Sequence, residues 1–264
     1  MVEGFETVAA QPPQPPGRRI RVIGIGSGHP GHLTGDAWAA LSAVDYVVAA
    51  EKRGDDPLLA VRRALCEKVR IPLVVVPDPE RDRADPADYP GAVADWHAAR
   101  VAAYAQVLAD RPGDVGFLVW GDPSLYDSTL RMVEQLAADT GCTYDVVPGI
   151  SSPQLLAAAH RIVLHRVGEP VLVTTGRRLS ADVAADHDNL VVMLDGHLAC
   201  RDLDPDDWLI WWGANLGTAG ERLEHGPLGA TLPAIERARA AASAADGWVM
   251  DTYLLRRVTP APVP

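Results

Sequence analysis

Short apolar runs alternate with longer amphipathic stretches along the first half of the chain. The apolar runs predict five strands: RRIRVIGIG (18–26), DYVVAA (45–50), LVVVP (73–77), GFLVW (116–120) and TYDVVP (143–148). Between them, residues 33–44, 55–67 and 124–138 have the spacing of helices, and one face of a further long helix is formed by Val93, His97, Val101, Tyr104 and Leu108. This alternation predicts a mostly parallel sheet covered by helices.

The second half has a larger share of strands. Residues 151–159 predict a short helix and residues 160–170 an irregular link, and strands are then predicted at 171–175, 189–194, 208–212, 222–226 and 248–255. One long helix, 231–245, comes late among them. We therefore expect an α/β protein with two α/β domains, residues 19–150 and 151–264, the second with a mixed sheet that includes hairpins.

Composition adds several exclusions. Residues 1–17 contain no Lys or Arg, lack a continuous apolar segment and include four prolines, which predicts a disordered tail over residues 1–18 and not a signal peptide. No apolar run approaches the roughly 20 residues of a membrane-spanning helix. The net charge of -11 argues against nucleic acid as a partner. Cys66, Cys142 and Cys200 are too far apart in sequence for a zinc knuckle or a CxxC pair, so we expect buried thiols in a reducing cytoplasm.

Two predicted strands end in turns that should face a ligand. Gly121-Asp122-Pro123 interrupts the string VWGDPSLYDST (119–129), and VVPGISS (146–152) ends in a second turn. We expect Asp122 or Ser124 to cap the helix predicted from residue 124, which leaves nearby main-chain groups available to a ligand. An ordinary strand-turn-helix connection is the alternative.

A glycine-rich loop, IGIGSGHPGHLT (23–34), follows the first strand and would let a main chain approach a ligand closely. A nicotinamide-dependent oxidoreductase is one interpretation of this loop. It is disfavoured because the dinucleotide fingerprint needs a glycine where His29 stands, and because Asp45 precedes the second strand instead of ending it.

Other common site types have little support in the sequence. It contains neither a G-x-x-x-x-G-K-[ST] phosphate loop nor a G-x-S-x-G serine motif. Nothing fixes the geometry of a metal site formed from His29, His32 and His197, so no metal is predicted. Arg177 and Arg178 form a doublet suited to substrate carboxylates, because a guanidinium pairs with a carboxylate in a fixed fork.

Taken in order, the strand–GxGxG–HLT, GDPSLY, VVPGISS and TGRR strings resemble the tetrapyrrole methylase family, whose members use S-adenosylmethionine to C-methylate porphyrinoid and corrin precursors. The resemblance covers residues 19–257. It implies two αβα domains with S-adenosylmethionine in the cleft between them, usually in a homodimer. Several strings are similar to the deacetylating branch of the family: VADWHAAR, FLVWGDPSLYDSTLR, GEPVLVTTGRR, NLVVMLDG, WWGANLGT and GWVMDTYLLRR.

That branch implies C-1 methylation of the tetrapyrrole precorrin-5 with release of acetate, giving precorrin-6A for cobalamin biosynthesis. Methylation of another precorrin, of uroporphyrinogen, or of a macromolecule such as diphthine or ribosomal RNA are the alternatives on the same fold. The acidic balance of the chain speaks against RNA.

The resemblance also implies which residues form the site. Cofactor contacts are expected from Trp120, Gly121, Asp122, Leu125, Ser151, Ser152, Met193, Leu194, Gly213 and Ala214. Substrate contacts are expected from Gly24, Gly26, Ser27, Gly28, Lys52, Arg177 and Arg178. Candidates for the acid and base chemistry are His29, Glu51, Asp122, Tyr126 and Asp127. The chain departs from the family at Ser27, where Pro is common, and at His29, where Asp is common.

Overall fold

A computed structural model describes residues 17–51, 56–79, 89–247 and 249–258. The chain divides into two compact units. The first contains the residues up to Gly24, Gly35–Val119 and Tyr126–Pro148, and the second contains Ile25–Thr34, Trp120–Leu125 and the residues from Gly149 onward. A division at residue 150, as proposed from the sequence, would place the two short segments of the second unit with the first.

The first unit is a five-stranded sheet with helices packed against it. Its elements are β1 (Arg19–Gly24), α1 (Gly35–Ser42), β2 (Tyr46–Glu51), α2 (Pro57–Val69), β3 (Leu73–Pro77), α3 (Tyr89–Asp110), β4 (Val115–Val119), α4 (Thr129–Thr140) and β5 (Thr143–Val147). The strands lie in the order β3-β2-β4-β1-β5, and all the pairs are parallel. Every residue of β4 is buried, which is why this central strand appears in the sequence as a continuous apolar run.

The second unit is built on a mixed sheet. Its elements are α5 (Ser152–His160), β6 (Leu172–Thr175), α6 (Leu179–Ala184), β7 (Asn189–Met193), β8 (Trp208–Ala214), β9 (Arg222–Pro227), α7 (Leu228–Asp246) and β10 (Asp251–Arg257). The strand order is β6-β7-β10-β8-β9, with β6 and β7 parallel and the other pairs antiparallel. Trp208, Trp212 and Tyr253 are among its largest fully buried side chains. The predicted mixed sheet is therefore confirmed.

One predicted helix begins later than expected. Helix α4 starts at Thr129 and not at residue 124, because Tyr126 has a φ of 52°, a left-handed conformation that an α-helix does not admit. The expectation that Asp122 or Ser124 caps α4 is therefore wrong. Asp127 is the side chain that accepts a hydrogen bond from the Thr129 N–H, at 2.5 Å.

Two of the three cysteines are buried. Cys66 and Cys200 are buried free thiols, and Cys142 is half-buried. Burial raises the pKa of the Cys66 thiol to about 11, so it is protonated at neutral pH. Among the described residues, no helix combines the length and the apolar character needed to cross a membrane.

Candidate functional site

The glycine-rich loop and the Gly-Asp-Pro turn are joined by main-chain hydrogen bonds in the second unit. Gly26 N–H donates to the Gly121 carbonyl at 3.2 Å, and Gly121 N–H donates to the Gly26 carbonyl at 2.8 Å. Both glycines have left-handed backbones, with φ of 59° and 62°. An added Cβ at Gly26 would lie 2.9 Å from the His32 carbonyl oxygen, so a side chain has no room there.

Asp122 ties the Gly-Asp-Pro turn to the turn that ends in Ser151. Its Oδ2 accepts from the Gly149 N–H at 2.8 Å, and its Oδ1 accepts from the Ser124 N–H at 2.9 Å and from the Ser124 hydroxyl. Partial burial acts to raise the pKa of Asp122, but these hydrogen bonds outweigh it and the net pKa is lowered. The carboxylate is therefore ionised at neutral pH, with donors on both oxygens. This arrangement suits a positioning role better than proton transfer.

The remaining predicted residues of these two turns lie close by in the chain. Trp120 is half-buried and directly precedes the turn, and the Leu125 N–H donates to the Asp122 carbonyl at 3.2 Å. Ser151 is buried, precedes α5 and donates its hydroxyl to Gln154 Oε1, and Ser152 begins the helix. An added Cβ at Gly121 would lie 3.5 Å from Ser151 Cα, so the two turns pack directly against each other.

The glycine-rich loop also packs against the segment that follows β8. Ser27 Oγ and His32 Nδ1 are 2.8 Å apart, and both face Gly217. An added Cβ at Gly217 would be 2.3 Å from His32 Cε1 and 2.8 Å from Ser27 Oγ. The Gly217 N–H donates to Glu221 Oε2 at 2.7 Å, which fixes this close approach. His32 lies in the GxGxG–HLT string and Gly217 in the WWGANLGT string, but the sequence assigns no role to His32 beyond a disfavoured metal site and none to Gly217, because the strings do not show that the two residues meet.

We expect Gly217→Ala to destabilise the protein more than Gly121→Ala. Both positions have left-handed backbones, with φ of 73° and 62°, so each substitution costs about 1–2 kcal/mol in backbone strain. Only the Ala at position 217 would also clash with His32, whereas the one at position 121 meets ordinary contact distances. Thermal unfolding of the two variants measures the difference, and an equal loss would contradict the packing described above.

His29 lies on the exposed side of the same loop. Its Nδ1 accepts from the Gly31 N–H at 3.1 Å, and it begins a short 3-10 helix, Pro30–His32. The dinucleotide motif would run from its glycines directly into an α-helix. Here α1 begins only at Gly35, after this 3-10 turn, which argues further against a nicotinamide site. Gly28 completes the loop with a φ of 78° and an N–H that donates to the Ile25 carbonyl at 2.9 Å.

Other predicted cofactor residues lie at one edge of the second sheet. Met193 pairs with Thr175 of β6 and with Thr252 of β10, and Ala214 pairs with Asp251 at the start of β10. The carboxyl ends of β6, β7 and β8 therefore meet there. Gly213 and Ala214 are buried and paired to strands on both sides.

Leu194 is the exposed apolar residue at this edge. It is 65% exposed and has a φ of 52°, an uncommon conformation for a bulky side chain. The next residue holds it there: buried Asp195 accepts from the Tyr253 hydroxyl at 2.5 Å and from the Ala199 N–H at 2.7 Å. A strained backbone that presents an apolar side chain to solvent is typical of a ligand site.

The predicted arginines follow β6 at the same edge. Arg177 and Arg178 are exposed and belong to the 3-10 helix Gly176–Arg178. The Arg178 guanidinium pairs with Asp182 Oδ1 at 3.0 Å.

The other predicted residues belong to the first unit or lie outside the described residues. Gly24 ends β1 and Glu51 ends β2, while Tyr126 and Asp127 precede α4. Tyr126 is exposed, with its left-handed backbone conformation. Lys52 lies outside the described residues.

The chain is similar to known methylases over most of its length. The family model for Tetrapyrrole (Corrin/Porphyrin) Methylases matches residues 19–231. A protein of Sinorhizobium sp. named precorrin-6A synthase [deacetylating] is 43% identical over 252 residues, which cover 91% of this chain and 95% of that protein.

The chain is also similar to solved structures. A putative cobalamin synthesis related protein (CobF) from Corynebacterium diphtheriae superposes with a TM-score of 0.79 at 38% identity, covering 92% of this chain and all of that one. The uroporphyrin-III C-methyl transferase from Thermus thermophilus, complexed with S-adenyl homocysteine, has a TM-score of 0.54 at 21% identity, covering 90% of this chain and 97% of that one, and shares the fold. The predicted α/β fold is confirmed, and the chain belongs to the tetrapyrrole (corrin/porphyrin) methylase family.

Proposed function

We propose that the chain transfers a methyl group from S-adenosylmethionine to C-1 of precorrin-5 and releases the acetyl group as acetate, giving precorrin-6A. The observation that carries this proposal is the 43% identity to the Sinorhizobium precorrin-6A synthase [deacetylating] over nearly the whole of both chains. The likeness to the cobalamin synthesis related protein of Corynebacterium diphtheriae supports a place in corrin-ring formation.

The residues at the edge of the second sheet fit S-adenosylmethionine, which supplies an electrophilic methyl group when bound. Exposed Leu194 and half-buried Met193 offer an apolar surface for the adenine ring. The turns at Gly121 and Ser151 offer main-chain groups to the methionine end, with Trp120, Asp122, Leu125 and Ser152 beside them. Gly213 and Ala214 support this edge from within the sheet, because their own main-chain groups are paired.

Methyl transfer places modest demands on the chain's own residues. Displacement at a sulfonium needs close contact and alignment more than it needs a strong base, so rigid turns can supply much of the acceleration. The Asp122 tie between two turns and the Gly26–Gly121 pairing provide that rigidity. Their role is to hold the reactants at a fixed distance.

The substrate carries several carboxylates, and the chain is acidic overall. Local cations are therefore needed, and we propose that Arg177 and Arg178 bind the substrate carboxylates. The Arg178 side chain is 69% exposed despite its pairing with Asp182, so it can also reach a ligand. The glycine-rich loop, Gly24 to Gly28, would line the tetrapyrrole with its main chain, and Lys52 is a further candidate cation.

Release of acetate needs a proton acceptor and stabilisation of an oxyanion. His29, Glu51, Tyr126 and Asp127 remain candidates for this chemistry. Asp122 is a weaker one, since both of its oxygens already accept hydrogen bonds.

We further propose that the chain is a homodimer and that it acts in the cytoplasm. A mass measurement in solution tests the homodimer, which would have twice the 28.2 kDa of one chain.

Incubation with precorrin-5 and methyl-labelled S-adenosylmethionine tests the activity directly. We expect a labelled corrinoid and free acetate in equal amounts. Methyl transfer without acetate would contradict the deacetylating activity, and labelling of uroporphyrinogen or another precorrin in preference to precorrin-5 would contradict the substrate.

Thermal unfolding with added ligands tests the cofactor separately. A ligand that binds only the folded state raises the midpoint temperature of unfolding. At 100 times its Kd it adds about 2.7 kcal/mol to the free energy of unfolding. We expect S-adenosylhomocysteine to do so and NADPH to have no effect. Stabilisation by NADPH alone would favour the oxidoreductase alternative.

A further inference from the structure

Three serine hydroxyls lie in the turns and loops that the second unit brings together, and they differ in what they contact. The Ser124 hydroxyl donates to Asp122, and the Ser151 hydroxyl donates to Gln154. Ser27 Oγ lies 2.8 Å from the imidazole Nδ1 of His32. A hydroxyl bonded to an imidazole is the arrangement in which a serine becomes a nucleophile, because the ring can take its proton.

The surroundings hold this pair in one geometry. Gly217 has no side chain, and a Cβ there would be 2.6 Å from His32 Nδ1 and 2.8 Å from Ser27 Oγ. The His29 N–H donates to Ser27 Oγ at 3.4 Å. Ser27 and His32 are both half-buried, so neither residue is sealed in the core.

The electrostatics of His32 also suit a base. Burial and the neighbouring His29 ring lower its pKa, while the carboxylate of Glu221, on the facing segment, acts to raise it. The net pKa is below the usual 6.5, so the ring is neutral at physiological pH and can accept a proton. In the tautomer with its proton on Nε2, Nδ1 faces the Ser27 hydroxyl.

We propose that Ser27 accepts the acetyl group of the substrate, with His32 as its general base. This inference rests on the proposed function, which requires acetate to leave. It differs from assigning the base to His29, whose Nδ1 accepts a main-chain N–H and whose side chain lies on the exposed side of the loop.

The reaction balances with water as the only additional reactant. Ser27 Oγ bonds to the acetyl carbonyl carbon while its proton passes to His32 Nδ1. The bond from that carbon to C-1 breaks, and its electron pair stays on C-1, which takes the methyl group. His32 then releases its proton to solvent. A water molecule attacks the acetyl-Ser27 ester as His32 takes one of its protons, the ester bond breaks, and that proton passes from His32 to Ser27 Oγ. Acetic acid leaves and loses its remaining proton to solvent, giving acetate.

The test compares acetate release by the wild type, Ser27→Ala, His32→Gln and Ser27→Cys. We expect Ser27→Ala and His32→Gln to slow release by about 100- to 10,000-fold, while both keep the wild-type stabilisation by S-adenosylhomocysteine. Ser27→Cys should recover part of the rate, because a thiol can carry the acetyl group. Exposed Ser243→Ala and His165→Gln are matched controls and should retain wild-type rates.

Two readouts separate this chemistry from a merely structural role of the pair. Wild-type acetate release should fall as the pH drops below the lowered pKa of His32, since the protonated ring cannot act as a base, and His32→Gln should lose that dependence. Peptides from acid-quenched reactions should carry acetyl on residue 27. Wild-type protein that releases no acetate overturns the proposed function and this inference together, whereas release that Ser27→Ala retains overturns this inference alone.

Discussion

We expect Asp122→Asn to weaken the binding of S-adenosylhomocysteine by about 10- to 100-fold. An amide cannot accept hydrogen bonds on both sides, so its NH2 group would face either the Gly149 N–H or the Ser124 donors that the carboxylate now satisfies. Losing a hydrogen bond to a charged acceptor costs about 1.5–3 kcal/mol, and an unpaired donor adds to that. Calorimetric titration of the wild type and the variant measures the affinity.

Ser124→Ala is the matched control for this prediction. It removes one of the three donors and leaves both carboxylate oxygens with a main-chain partner, so its affinity should stay within a few-fold of the wild type. If Asp122 were instead the acid or base, Asp122→Asn would bind S-adenosylhomocysteine normally and lose turnover. A variant that binds normally would therefore contradict the positioning role.

Helices and strands could be predicted because their buried positions are apolar, either at the spacing of a helix or in a short continuous run. Strand β4 is buried along its whole length and appears as an unbroken apolar run. The start of α4 could not be predicted, because the left-handed conformation of Tyr126 is uncommon for a tyrosine and has no sequence signal. A prediction from local sequence alone therefore begins this helix at residue 124, whereas in the structure it begins at Thr129.

The candidate site shows the same division between motif and contact. The Gly-Asp-Pro and Pro-Gly-Ile-Ser strings indicated two turns, but not that the Asp122 side chain joins them across 27 residues of sequence. The sequence indicates His32 only as a poorly supported metal ligand, whereas in the structure Gly217 lies against its ring. Contacts of this kind depend on which loops the topology brings together, and a single sequence does not record them.

We expect Leu194→Gly to make the protein without ligand more stable and to weaken its binding of S-adenosylhomocysteine. Glycine adopts a φ of 52° without the strain of about 1–2 kcal/mol that leucine pays, although the more flexible unfolded chain offsets about 0.4–1 kcal/mol of the gain. The side chain is 65% exposed, so its removal costs little packing. Losing its contact with an adenine ring would cost about 1.5–3 kcal/mol of binding, or roughly 10- to 100-fold in affinity.

Arg70→Gly provides the matched control, because Arg70 is also exposed, has a φ of 59° and ends α2 in the first unit. It should gain similar stability and leave the affinity unchanged. If Leu194→Gly raises stability and lowers affinity, while Arg70→Gly raises stability and leaves affinity unchanged, then the strain at Leu194 serves a ligand contact. Leu194→Gly with wild-type affinity would remove this residue from the cofactor site and leave only the hydrogen bonds of Asp195 to account for its conformation.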